Sequence, residues 1–299
     1  MSKRDDVANE FLNLLQAEAA TFTKLVSSES GDWVVKGFID ICRKIYTISA
    51  DTKVVSKLIE LMLFPQFVAF AKKHKLELVL AREQNHYPDL TFIDSEGFKY
   101  AVDLKSTYRI SSELCNTMTL GAFTGYFRNR ESTKNVTFPY GEYAGHFVLG
   151  VIYSRVEPET GSELKVYGVK DLEKIPSVVR DLTFFAQPKY RIAKDQPGSG
   201  NTKNIGAVSR LADLVNGTGP FAELGESTFD DYWMFYLTRD MARAAEIGHP
   251  PYTTLATYMT HKKIPAEKEA ALAEAAIKAA ADAGLETAAQ HAISESEED

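Results

Sequence analysis

Apolar positions over the first 75 residues recur at the three-to-four-residue spacing of helices, and beyond residue 76 they alternate as in strands. ANEFLNLLQAEAATFTKLV (8–26) predicts one amphipathic helix, whereas GDWVVKGFIDICRKIYTI (31–48) fits a helix or a strand equally. Asp51 is placed to cap a helix over TKVVSKLIELML, with Val54, Val55, Leu58, Leu61 and Met62 along one stripe. Pro65, a residue favoured at the first helical position, predicts the start of a separate short helix, PQFVAFAKKHK. LELVLARE then predicts the first strand or its approach. Between Leu90 and Tyr108 the pattern is strand, tight turn at DSEG, strand, and further strands are expected at HFVLGVIYSRV and ELKVYGV. The sum is a set of helices packed on a mixed sheet, an α/β or α+β domain without internal repeats.

Composition narrows the class. A chain of 299 residues with 44% apolar side chains can bury one large core or two small ones. No apolar run follows MSKRDD and no stretch approaches the roughly 18 apolar residues of a membrane span, so a cytoplasmic protein is expected. Cys42 and Cys115 lie far apart outside any CxxC, and the six histidines lack zinc-site spacing; two buried free thiols and no zinc are expected. The net charge of −7 resides in the last 34 residues, where nine acids face Lys268 and Lys278. Residues 1–265 are neutral, so charge neither demands nor excludes a phosphate backbone as partner. The expected organisation is a core over 1–265 and an appendage over 266–299, an alanine-rich helix broken at Gly284 followed by the acidic, disordered terminus ISESEED.

The chemistry concentrates in DLTFIDSEGFKYAVDLK, residues 89–105. Alternation puts Asp103 and Lys105 on one face with Ala101, and turns Val102 and Leu104 to the other, towards the core. Because a hairpin lays its arms side by side, Asp89 falls opposite Asp103. Two unpaired carboxylates about 4 Å apart repel by about 4 kcal/mol at an effective dielectric near 20, and a divalent cation between them removes that cost. Magnesium suits such a site, since it is commonly held by one or two carboxylates plus substrate phosphate oxygens. Lys105 beside it can stabilise charge on a phosphate, or orient and help deprotonate a water. The alternative for an isolated DxK is a solvated ion pair on an exposed strand face.

The surrounding residues decide between these. Pro88-Asp89, thirteen residues, then Asp103-Leu104-Lys105 is the pattern of the PD-(D/E)xK nucleases. SADTKVVSKLIEL, EQNHYPDLTF, AVDLKSTY, TLGAFTGYFRN, STKNVTFPYGEYAGHFVLGVIYSRV, GSGNTKNIG and FDDYW follow in an order that resembles the EcoRV family of type II restriction endonucleases, from about Ile45 to about Arg243. The resemblance implies the α/β restriction-endonuclease-like fold, a central mixed β-sheet flanked by helices, and Mg²⁺-dependent cleavage of double-stranded DNA. It matches Asp89 and Asp103 to the metal-binding aspartates, Lys105 to the catalytic lysine, and Glu60 to a third acidic, metal-side residue. Taken by itself, Glu60 is an ordinary exposed helix glutamate.

GSGNTKN lacks the glycine spacing and Gly-Lys-Ser/Thr of a phosphate-cradling loop. Its small residues and its amide suit a flexible turn, or a loop that meets base edges in the major groove. By the resemblance, Gly198, Ser199, Gly200, Asn201 and Thr202 match a base-reading loop for GATATC, with Lys203 where the family has a threonine. Gln84 and Asn85 match a loop following the minor groove, with Glu83 in place of a glutamine, a charge that opposes phosphate binding unless it faces solvent. Thr107, Thr119, Thr124 and Arg155 fall in segments that touch or buttress the DNA backbone. A palindromic site further implies a symmetric homodimer, a central cut leaving blunt ends with 5′-phosphates, DNA bending eased by a central TA step, and a cognate DNA methyltransferase in the same system. Two rivals remain: a repair or structure-specific nuclease of the same superfamily with other reading loops, and a non-catalytic DNA-binding protein that keeps the fold.

Overall fold

The computed structural model describes residues 2–83, 85–156, 165–198 and 202–262. Helix α1 (Lys3–Val26) starts from a capping box, in which Ser2 and Asp5 satisfy each other's backbone donors, and buries Phe11, Leu12, Leu15, Ala19, Phe22 and Val26. The segment that fits helix and strand equally forms the hairpin β1 (Gly37–Ile39) and β2 (Lys44–Thr47). Asp51 caps α2 (Thr52–His74) by accepting from the N–H groups of Lys53 and Val54, as its position predicts.

Two expectations about α2 are corrected. The helix runs unbroken through Pro65, and its buried stripe is Val55, Ile59, Leu63, Phe67 and Phe70, while Leu61 is 52% exposed. Proline at 65 removes the donor that would reach the carbonyl of residue 61, and that carbonyl lies on the solvent side, where water can serve it. By length and hydropathy α2 would also qualify as a membrane span, but its buried stripe packs into the protein core.

Strands β3 (Glu77–Leu80), β4 (Leu90–Ile93) and β5 (Lys99–Tyr108) form a meander. The β4–β5 turn closes with Gly97 N–H donating to Asp94 O, and Gly97 adopts φ +88°, which glycine alone enters without strain. Short β6 (Thr119–Ala122) follows, then β7 (Tyr143–Arg155), β8 (Val166–Gly168) and β9 (Val179–Pro188). The main sheet has the order β3-β4-β5-β7-β9, parallel only between β5 and β7. Residues 143–153 of β7 are buried without interruption, as a strand covered on both faces requires.

One face of this sheet packs on α1 and α2 through Val102, Leu149, Val151 and Phe184. The other carries Ala101, Val148, Ile152 and Phe185 against a second core. That core is built from β6, from β10 (Ala193–Pro197) and β11 (Asn204–Ala207), which join β6 in a three-stranded sheet, and from the aromatic residues of α4 (Gly225–Phe235) and α6 (Leu255–Lys262); short α3 (Leu211–Asn216) precedes α4 in the chain and short α5 (Arg239–Ala244) follows it. Two cores rather than one therefore enclose the sheet. β1, β2 and β8 make a separate small sheet. Of the thiols, Cys115 is buried but Cys42 is exposed, against the expectation that both would be inside. The tail over 266–299 lies outside the described residues.

Candidate active site

The register Leu90↔Val102 brings the start of β4 beside the centre of β5, as the hairpin argument requires. Asp89, just before β4, accepts a hydrogen bond from Leu104 N–H at 2.7 Å. Lys105 Nζ lies 2.5 Å from Asp103 Oδ2 and donates to Leu104 O at 3.3 Å. Asp103 is only 6% exposed, because its face of β5 is the one covered by the second core. Strand alternation alone turns Val102 and Leu104 to the core and leaves the Asp103 side open; in the fold both sides are covered.

The electrostatics are those of a crowded acidic pair. Burial, then the neighbouring Asp103 charge, pushes Asp89 up to about 7, against the opposing pull of Lys105. Burial works against the Lys105 charge, but Asp103, Asp89 and Glu60 outweigh it, and its pKa stands above that of a free lysine. Glu60, Asp89, Lys105 and Ser106 line one cavity of about 120 Å³ floored by Ile59, Leu63, Leu149, Val151 and Phe184. Glu60 pairs with Lys57 at 2.7 Å, and no cluster of three or more metal-ligating side chains exists among the described residues. The candidate ligand set is thus two adjacent carboxylates, with Glu60 lining the same cavity as Asp89 rather than closing a triad. Hard oxygen donors that repel each other fit a divalent ion such as Mg²⁺, which relieves the repulsion and takes its remaining ligands from water and phosphate.

The other residues singled out by sequence lie around this centre. β10 and β11 pair antiparallel, and Gly198 N–H, just past β10, donates to Asn204 O at 3.0 Å. A Cβ on Gly198 would stand 2.6 Å from Thr119 Cγ2, so Thr119 and a side-chain-free residue together seat the base of the loop. Thr202 Oγ1 is buried without a partner, and Lys203 is exposed while its carbonyl accepts from Phe123 N–H. Ser199, Gly200, Asn201 and Gln84 lie outside the described residues. Asn85 is exposed. Thr107 is 4% exposed and its hydroxyl donates to Asn116 O, a brace inside the protein rather than a surface contact. Thr124 precedes a short 3-10 turn, Gly125–Phe127, and its side chain caps nothing. Arg155 lies exposed at the end of β7 with its guanidinium 3.6 Å from the Tyr108 ring centroid.

With this arrangement in place, comparison with known proteins decides the family. The family model for restriction endonuclease EcoRV matches residues 29–263. The chain belongs to the EcoRV family of restriction endonucleases. It is 35% identical over 233 residues to the type II restriction enzyme EcoRV of Escherichia coli, covering 77% of this chain and 91% of that protein. Its mixed sheet between helical layers is the EcoRV-family fold, and the protein is a type II site-specific deoxyribonuclease. Both rivals, the repair nuclease and the non-catalytic binder, give way to that assignment.

Sequence reasoning missed the wall behind Asp103. Tyr87 OH bonds His146 Nδ1 at 2.9 Å, Tyr140 stacks on His146 at 3.8 Å, and Tyr87 stacks on Tyr126 at 5.2 Å. Lys189 projects into these rings. Only Tyr87, two residues from Asp89, carried a positional hint; the rest come from β7, β9 and the loops between strands.

Proposed function

We propose that this EcoRV-family nuclease cuts double-stranded DNA at GATATC, at the centre, leaving blunt ends with 5′-phosphates, and that Mg²⁺ is its cofactor. The adjacent carboxylates of Asp89 and Asp103, one of them pushed to about 7 by its surroundings, carry the metal reading. A bound Mg²⁺ would supply Lewis-acid activation of the scissile phosphate and its attacking water. The residues of the chain do the rest. Asp89 and Asp103 would hold the ion, Leu104 N–H fixes the Asp89 carboxylate, and the ammonium of Lys105 faces the developing phosphate charge. Glu60 would bind through water at the cavity's edge.

Gly198, Ser199, Gly200, Asn201, Thr202 and Lys203, the chain segment between β10 and β11, would read base edges. Gln84 and Asn85 would follow the minor groove. Thr119, Thr124 and Arg155 would meet or support the phosphate backbone, and Thr107 would support it from inside. A homodimer is favoured by one row of neighbouring side chains across the small sheet, Phe38, Tyr46 and Val166, all outward and about half exposed, beside a fully exposed Ile41. Two such copies would act on the two strands of a palindrome. Acting in a restriction system, the enzyme would work in the cytoplasm beside a methyltransferase that protects the same sites. The core would occupy 1–265, with 266–299 as an appendage.

Digestion of a plasmid carrying GATATC sites tests the reading. Discrete blunt fragments are expected with Mg²⁺, and none with a chelator or after Asp103→Ala. Fragments with ends elsewhere would overturn the assigned site, and full digestion by Asp103→Ala would overturn the assigned catalytic centre.

A further inference from the structure

Lys189 opens the 3-10 turn Lys189–Ile192 that follows β9, and it is 2% exposed. Its Nζ has no hydrogen-bond partner among the described residues. Around it stand the rings of Tyr87, Phe127 and Tyr140, with the ammonium 5.2, 5.5 and 5.6 Å from their centroids. The charged groups it faces are Asp103 and Lys105 from β5, and Asp230 and Glu226 from α4. The box is rigid, since Tyr87 is hydrogen-bonded to His146 and Tyr140 is stacked on it.

An ammonium without an acceptor in such a box is costly to bury, and aromatic faces return only part of the cost. Burial draws its pKa down to about 8, so it keeps its charge at neutral pH. A methionine would fill the same volume with less penalty. The charge matters for the balance of the centre. Asp89 and Asp103 carry two negative charges when ionised, and Lys105 and Lys189 supply two positive ones. Against the carboxylate pair the two ammonium groups weaken the pull on a divalent ion entering the metal-free site, in a surround that also holds Glu60, Asp230 and Glu226.

We propose that Lys189 is a positioning residue that acts through Asp103: a buried counter-charge that weakens divalent-ion binding in the DNA-free protein and so ties metal loading to the arrival of the DNA phosphate. This rests on Asp89 and Asp103 being the metal ligands.

Manganese is the probe, titrated into the full-length DNA-free protein with free Mn²⁺ counted by electron paramagnetic resonance. Lys189→Met and Lys189→Gln are both expected to bind Mn²⁺ about tenfold tighter than the wild type, since each removes a positive charge near the ion. A purely structural role for Lys189 would loosen the site instead. Equal or weaker binding in folded variants, judged by circular dichroism, overturns the proposal. Asp103→Asn separates the two layers. If it leaves Mn²⁺ binding untouched, the metal-site assignment fails; if it abolishes binding while both Lys189 variants match the wild type, the role of Lys189 alone fails.

Discussion

Asp89 Oδ2 accepts from Leu104 N–H at 2.7 Å, which ties the first acidic residue of the site to the middle of the Asp103-Leu104-Lys105 tripeptide. The bond needs an acceptor but not a charge. Asp89→Asn keeps the acceptor and removes the buried charge and its repulsion with Asp103, which together lift Asp89 to about 7. The metal-free variant should therefore be more stable than the wild type above pH 7, by on the order of 1 kcal/mol, while cleavage falls by about a thousandfold or more. Asp89→Ala strands the Leu104 donor and should instead lose about 1–3 kcal/mol. Thermal melts paired with single-turnover cleavage distinguish the three proteins, and an active Asp89→Asn would refute the role given to this carboxylate.

Glu226 supplies a pH dependence remote from the cut. Burial, then Asp230, pushes it up to about 7, against the pull of Arg4 and Arg130 with which it lines a cleft of about 650 Å³. The folded protein therefore holds a proton between about 4.5 and 7 that the unfolded chain has released, and stability falls as pH rises through that window. Because the cleft opens to solvent, the effect should be on the order of 1–2 kcal/mol. In Glu226→Gln the slope should be smaller by that amount, the remainder including the share of Asp89, as urea unfolding at pH 5 and pH 8 would reveal; identical slopes in both proteins would show that Glu226 does not hold the extra proton.

How much of this was legible beforehand follows the range of the interactions. The β4–β5 hairpin, its DSEG turn and the convergence of Asp89 with Asp103 depend on neighbours within 20 residues and are written in the alternation of the segment itself. The Asp51 cap is equally local. Continuity of α2 through Pro65 was hidden, because it depends on which side of the helix faces water, and the choice between helix and strand at 31–48 depends on pairing with β8. The closed face over Asp103 and the Lys189 box draw on β7, β9 and the loops between strands, where no spacing rule links the residues. Threonines 107, 119 and 124 look alike in sequence; tertiary packing makes one a buried brace, one the seat of a loop and one the residue ahead of a 3-10 turn.

Gly198 offers a test of the reading loop that spares the catalytic centre. An added Cβ meets Thr119 Cγ2 at 2.6 Å, so Gly198→Ala must shift the base of the loop. Specific DNA affinity should fall by about 1–3 kcal/mol, with non-specific binding and global stability changed by much less. Fluorescence anisotropy on matched specific and scrambled duplexes measures the difference. A parallel loss on both duplexes would mean that the loop does not read sequence.

Lys203 is exposed and contributes its carbonyl, not its side chain, to the loop's closure on Phe123 N–H. Lys203→Thr should leave the cut position unchanged, since among the described residues the ammonium holds no contact to lose. If the ammonium instead rests on a phosphate, the slope of log affinity against log salt should become shallower by about one. Sequenced ends that move to another position would assign Lys203 to base reading.

The row Phe38, Tyr46 and Val166 sets the final prediction. These side chains are register neighbours across β1, β2 and β8 and all point outward, about half exposed, while Ile45 on the opposite face is buried. A patch this apolar on a small sheet, joined by Ile41, is costly to leave in water and matches the self-complementary surface that a two-fold dimer needs. Replacing Phe38 and Val166 together with aspartate puts like charges across the axis without touching the main core. The double variant should sediment as a monomer where the wild type should sediment as a dimer, keep its melting temperature within a few degrees, and lose concerted double-strand cleavage in favour of slow nicking. Analytical ultracentrifugation, a thermal melt and a supercoiled-plasmid assay on the same preparations measure the three quantities. A variant that remained dimeric would move the interface elsewhere on the protein, and one that became monomeric yet still cut both strands in one encounter would separate cleavage from dimerisation.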